Sequence, residues 1–225
     1  MKNPLSLIIT ALTKFLAGFL LLSFLLFLPA GTIHWPRAWL LIGILFLPML
    51  AVGVVLFLKN PGLLQKRLDA KESRKTQSSL VRASGVMFLL GFIAAGLDFR
   101  FSWFPLPVGV SIAAAVLFLC GYAMYAEVLR ENTYLARTIR VEDGQRVIDT
   151  GLYGVIRHPM YAATVLMFCS MPLVLGSGIA FVTFLVYPLI LSKRIGNEEE
   201  LLRRELAGYE EYTRKVKYRM IPYLW

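Results

Sequence analysis

The chain is a succession of long apolar runs separated by short breaks rich in proline, glycine and charge. A helix needs about 20 apolar residues to cross a hydrocarbon layer roughly 30 Å thick. Six segments approach that requirement, running from about Leu5 to Leu28, Trp39 to Leu58, Ala83 to Leu97, Val108 to Ala126, Tyr161 to Leu175 and Ile179 to Leu191. Pro4 and Pro29 bracket the first, Pro48 predicts a kink in the second, and Pro105 and Pro107 lead into the fourth. Gly176-Ser177-Gly178 is long enough only for a tight turn, so the last two spans are expected to form a helical hairpin. The first span shows no small-residue cleavage site behind a short apolar core and reads as retained, not as a signal peptide. Lys14 falls inside it, where an unaccommodated charge costs about 2.5 to 3.5 kcal/mol on insertion scales. The first ten or so residues are therefore expected along the membrane interface. The fold class that follows is all-α: a polytopic membrane protein of about six transmembrane helices. Residues 1–225 form one membrane domain, with four N-terminal helices in 1–126 and the polar, chemistry-bearing region in 127–225.

Composition agrees with that pattern. The chain is 57% hydrophobic and 17% charged, with a mean hydropathy of +0.64, which excludes a water-soluble globular enzyme. Its 24 Lys and Arg exceed its 14 Asp and Glu, and their placement matters more than their number. Seven fall in the 59–82 connection, five in 127–157 and eight after Leu191. With Lys2 these lie on one side of the alternating topology, leaving only Arg37 and Arg100 on the other. By the positive-inside rule both termini and the large polar loops, and with them any site they carry, face the cytoplasm. The aromatic-basic patch of Trp35, Arg37 and Trp39 marks the opposite interface. The basic excess is thus explained by lipid head groups, with no nucleic acid required. Asn60 to Gln77 reads as a solvated connection with a short surface helix. Cys120 and Cys169 lie in apolar runs and read as small buried hydrophobes, and no metal-ligand spacing occurs. Spans one to four carry almost no polar group at mid-depth, and no internal repeat is evident, so a transporter gains no support.

Polar residues gather instead in two clusters. The first, Gly151-Leu152-Tyr153-Gly154-Val155-Ile156-Arg157-His158-Pro159-Met160-Tyr161, leads from a loop into the fifth span. Pro159 suits the first position of a helix, where its missing N–H is not needed. Arg157 and His158 then stand at a helix N-terminus that favours a carboxylate or phosphate; the alternative is that they anchor head groups, with Tyr161 as an interfacial aromatic. The second cluster is Arg194-Ile195-Gly196-Asn197-Glu198-Glu199-Glu200. At 3.6 residues per turn Arg194, Glu198 and Leu202 share a face, which is expected to continue in one helix through Glu205, Tyr209, Tyr212 and Val216. Its alternative is an amphipathic surface helix whose acids pair with Lys193, Arg203 and Arg204. The hairpin turns both clusters toward one mouth, where cationic and acidic groups would face each other around a zwitterionic or multiply polar ligand.

Gly144-Gln145, Gly151, Tyr153, Arg157-His158-Pro159-Met160-Tyr161, Arg194-Ile195 with Glu198-Glu199, then Tyr209, Tyr212, Val216 and Ile221-Pro222 resemble the isoprenylcysteine carboxyl methyltransferase family. Phospholipid N-methyltransferases are similar at the same two clusters. The resemblance covers roughly Glu127 to Trp225. It implies an S-adenosylmethionine-dependent methyltransferase whose cofactor sits between the cytoplasmic helix ends while a lipid, or a lipidated small molecule or protein, enters from the bilayer. It implies that His158, Pro159 and Tyr161 contact the cofactor, with Tyr153 nearby and Glu198 and Glu199 reaching its polar groups. Arg157 and Arg194 would orient an acceptor carboxylate, and Arg157, Arg194 and Glu198 would form the catalytic set. Asn132, after the fourth span, either touches substrate or caps and packs. Leu152 departs from the Pro often found there, and the N-terminal spans give no residue match to enzymes acting on prenylated proteins. The C-terminal run from Val216 to Tyr223 also looks like the end of membrane sterol reductases, which bind a reduced nicotinamide dinucleotide. Those typically carry Asn at the position of Met160 and an Arg-Asp pattern where this chain has Glu198-Glu199. A non-enzymatic lipid-binding membrane protein is the remaining alternative.

Overall fold

The computed structural model describes residues 4–68, 75–135, 141 and 144–225. Its elements are α1 (Pro4–Ala30), α2 (Pro36–Lys59), α3 (Pro61–Leu68), α4 (Lys75–Phe101), α5 (Val108–Glu131), a 3-10 turn (Gly151–Gly154), α6 (Pro159–Leu175), α7 (Gly178–Phe184), α8 (Val186–Glu205) and α9 (Tyr209–Lys215). Among the described residues no strand forms, and only one isolated bridge joins Pro105 to Ser177. Among the described residues five segments are long and apolar enough to cross a membrane: Pro4–Ala30, Pro36–Lys59, Gln77–Phe101, Val108–Glu131 and Gly178–Glu205. Pro159–Leu175 is apolar but shorter. Leucines, valines and phenylalanines along these helices point outward, as at Leu47, Leu58 and Leu189. This is the surface of a protein solvated by lipid, and the chain is an integral, multi-pass membrane protein.

Each helix begins and ends where the sequence supplies a reason. Pro36 and Pro159 occupy first-turn positions, where proline removes no hydrogen bond. Ser177 caps α7 by accepting the Ala180 N–H at 3.1 Å. The most extensive packing joins α5 to α6, and its closeness rests on Gly121. A Cβ there would lie 2.7 Å from Met167 Cγ and 3.1 Å from the Ala163 carbonyl, so only glycine allows this approach. Phe88, Phe92, Phe168, Phe184 and Tyr187 fill the space between α4, α6 and α8 with edge-to-face contacts.

Two sequence expectations change. The chain through Lys14 is one unbroken helix, and the ammonium donates to the Leu68 carbonyl at the end of α3. A cation at a helix C-terminus meets unpaired carbonyls there, and from Pro4 on the residues before Lys14 belong to the same helix as the span instead of a separate interfacial piece. The α8 face does not run unbroken to Val216. Ala207-Gly208 interrupts it, with Gly208 at φ +81°, a left-handed conformation that glycine adopts without steric cost. Asp98, just past the third span as read, is buried at 2% exposure. Its carboxylate accepts the Phe104 N–H at 2.6 Å and the Ser177 hydroxyl, tying the α4–α5 loop to the α6–α7 turn.

Candidate active site

The two sequence clusters meet. α6 and α8 lie side by side, so the Tyr161 hydroxyl donates to Glu198 Oε2 at 2.5 Å and accepts from Arg194 Nε at 3.0 Å. These residues stand in the wall of a cleft that opens to solvent. Its polar wall is Tyr153, Arg157, His158, Tyr161, Arg194 and Glu198, with Pro159 and Met160 at the start of α6. Its other wall is apolar and aromatic, made by Val147, Leu202, Leu206, Tyr209 and Tyr212.

Arg157 and His158 do gather an anion, and that anion is the chain's own Glu199. Arg157 Nε donates to Glu199 Oε1 at 2.7 Å, and His158 Nε2 lies 3.2 Å from the same oxygen. Arg219 Nε donates to Oε2 at 3.1 Å. Glu199 is 2% exposed and lies behind the cleft wall rather than in it. A carboxylate accepts only, so Nε2 of His158 carries a hydrogen. Arg157 also donates through Nη1 to the Val216 and Lys217 carbonyls at 2.7 and 2.9 Å. The Arg157 and His158 N–H groups donate to Tyr218 and Arg219 carbonyls at 2.9 and 2.8 Å. A strap of residues 216–219 thus fixes the corner from which α6 starts.

The aromatic hydroxyls are held as neutral groups. Asn132 Nδ2 donates to the Tyr153 hydroxyl at 2.9 Å, and the Tyr212 hydroxyl donates to the Tyr153 carbonyl at 2.8 Å. Burial raises the pKa of Tyr153, Tyr209 and Tyr212 above the usual phenol value, the carboxylates nearby adding to the effect for Tyr209. Asn132 closes α5 and lines the cleft, its Oδ1 accepting the Tyr134 N–H at 3.0 Å; it caps, and it faces the ligand space as well. The surface-helix alternative holds only for Glu200, which is exposed and pairs with Arg204. Arg203 reaches Glu210 of α9 instead. Among the described residues no group of three His, Cys, Asp or Glu side chains could hold a metal ion.

Sequence reasoning missed Tyr209 and Tyr212 as cleft residues, having read them as part of a helix face and of the family pattern. It also missed the strap and Arg219. The missed tyrosines had a signal in their spacing, i and i+3 on one face; Arg219 had none, because its partner is 20 positions away.

Comparison with known proteins places this region. Residues 110–204 match the isoprenylcysteine carboxyl methyltransferase (ICMT) family. A probable protein-S-isoprenylcysteine O-methyltransferase of Oryza sativa subsp. indica is 36% identical over 89 residues, covering 39% of this chain and 46% of that protein. Its counterpart in subsp. japonica matches equally. Delta(14)-sterol reductase TM7SF2 of Mus musculus is 25% identical over 137 residues, 54% of this chain and 33% of the reductase. The chain thus spans less than half the length of these relatives. A solved structure of the eukaryotic intramembrane Ras methyltransferase ICMT aligns over 99% of this chain and 88% of its own, at 14% identity and a TM-score of 0.49. From α5 through nearly all of α8, residues 110–204, the chain is a match to the isoprenylcysteine carboxyl methyltransferase family, the family read from its Arg157–Tyr161 and Arg194–Glu199 clusters.

Proposed function

We propose that the protein is an integral membrane methyltransferase that uses S-adenosylmethionine and transfers its methyl group to a lipid-like or membrane-associated acceptor. The observation that carries this reading is the single cleft uniting the Arg157–Tyr161 corner with the Arg194–Glu198 face, inside the segment that matches a methyltransferase family. The wall suits such a cofactor: an acidic group and tyrosine hydroxyls for its amino and hydroxyl groups, cations for its carboxylate, and an apolar aromatic side for a purine. When bound, the cofactor supplies a methyl group activated on a sulfonium.

Methyl transfer by in-line displacement asks for alignment and exclusion of water more than for a strong acid or base. The chain supplies alignment through hydrogen bonds that fix its own side chains. Tyr161 is held between Glu198 and Arg194, so all three keep one geometry. His158, held at Nε2 by Glu199, presents a fixed ring face on the cleft wall, and Asn132 fixes Tyr153. Arg194 orients a carboxylate acceptor, while Arg157 is largely committed to Glu199 and the 216–219 strap and holds the corner in place. Glu199 therefore supports the cofactor contacts of His158 from behind. The acceptor reaches the cleft from the bilayer, and the cleft and both termini face the cytoplasm, in keeping with the bias of Lys and Arg toward that side.

The test is transfer of labelled methyl from S-adenosylmethionine by the protein in vesicles, offered a prenylated cysteine and a membrane lipid extract. Label in an organic-soluble product is expected, with loss of about tenfold or more in Arg194→Ala. Absence of transfer to every fraction by a protein that is monodisperse would overturn the reading.

A further inference from the structure

The side chains of Ile221-Pro222-Tyr223-Leu224, which follow the strap beside the cleft, all face outward. Tyr223 is 90% and Leu224 78% exposed, and Ile221 and Pro222 are exposed as well. Tyr223 has φ +63°, a left-handed conformation uncommon for a bulky residue. The turn is held closed by the backbone oxygen of Trp225, which accepts N–H groups of Arg219, Met220 and Ile221, each at 3.0 Å. The backbone is thus bent so as to display apolar and aromatic side chains.

Its neighbours fix the depth of this knuckle. Met220 is buried in the same apolar core as Leu191 and Ile195 of α8, and Trp225 packs against that core. The preceding strap bonds the residues that begin α6. The knuckle therefore lies beside the N-terminal end of α6. From Tyr212 to Trp225 the chain holds four cations and no side-chain carboxylate. Lys215 faces Asp149 and Arg219 faces Glu199, while Arg214 and Lys217 are exposed. Exposed tyrosine and leucine beside exposed cations is the chemistry of the lipid head-group layer, where aromatic rings and Lys or Arg are favoured and anionic lipids attract the latter.

We propose that Ile221–Leu224 is an interfacial anchor: it inserts into the head-group and upper acyl layer of the leaflet beside the cleft, with Arg214 and Lys217 on anionic lipid phosphates. Because Arg219 stands between this anchor and Glu199, the leaflet surface bears directly on the element that fixes Arg157 and His158. The inference does not depend on the reaction catalysed.

The experiment places a nitroxide at Tyr223→Cys in the full chain carrying Cys120→Ser and Cys169→Ser, reconstituted in vesicles of phosphatidylcholine with phosphatidylglycerol. Collision with oxygen, which concentrates in lipid, is compared with collision with a water-soluble nickel chelate. The reference is a label at Glu211→Cys, exposed on α9. The oxygen-to-nickel ratio at 223 is expected to be several-fold above that at 211, and Leu224→Cys should behave alike should the first label distort the turn. Equal ratios at 223, 224 and 211 would overturn the proposal, as would spin–spin broadening between labels on two chains, which would mark a protein contact in place of lipid.

Discussion

Two adjacent glutamates divide the work of the cleft. Glu198 is half-buried and shares Tyr161 with Arg194 at the cleft surface. Glu199, 100° around the helix, is buried between Arg157, His158 and Arg219. Removing a buried carboxylate leaves guanidinium groups without their counter-charge, a loss of about 3 to 5 kcal/mol. Glu199→Gln is therefore expected to lower the thermal unfolding midpoint in detergent sharply. Glu198→Gln should leave that midpoint within about 1 kcal/mol of the parent and instead weaken binding of S-adenosylhomocysteine. Equal effects of both variants on stability would contradict the division. The sequence named both glutamates as cofactor contacts, since the motif carries them as a pair. Which one faces the ligand depends on where α9 and the 216–219 strap lie, and nothing local to Glu198-Glu199 encodes that.

At the level of elements, the apolar runs placed the helices well because lipid solvation demands uninterrupted backbone hydrogen bonding across the membrane. The spans were read short at their ends, as at α4 and α8, where polar residues continue the helix beyond the apolar stretch. The break before α9 was not legible because Leu202, Leu206 and Tyr209 keep a helical spacing across it, and only Gly208 signals the turn. Lys14 posed a problem in the sequence that its partner, Leu68, resolves from 54 positions away. The α5–α6 crossing adjoins the site, since Asn132 ends one helix and His158 begins the other. Gly121→Ala would push a methyl group into Met167 and the Ala163 carbonyl, an overpacking worth about 1 to 3 kcal/mol. A fall in the unfolding midpoint together with weaker cofactor binding is expected; an unchanged midpoint would show that the helices separate without cost.

For the whole molecule, the uneven distribution of Lys and Arg predicts orientation. Fusions of a reporter that fluoresces only in the cytoplasm to either end should both be bright, while one inserted after Trp103, in the α4–α5 loop, should be dark. A bright loop insertion with dark ends would reverse the topology and move the cleft to the other face. The fold legible from sequence was thus the membrane part, written in long-range average hydropathy. The assembly of the site came from contacts spanning 20 to 60 residues, such as Arg157 with Glu199 and Lys217, which no periodicity records.

The central claim is that the cleft between α6, α8 and α9 holds S-adenosylmethionine. Calorimetric titration of the detergent-purified protein with S-adenosylmethionine, S-adenosylhomocysteine and reduced nicotinamide dinucleotide phosphate tests it most directly. Saturable binding of the first two, weakened at least tenfold by His158→Ala and by Glu198→Ala, is the predicted result. Binding of the nicotinamide alone would contradict it and point to the chemistry of the reductase relative; binding of none would contradict it as well and leave a lipid-binding scaffold.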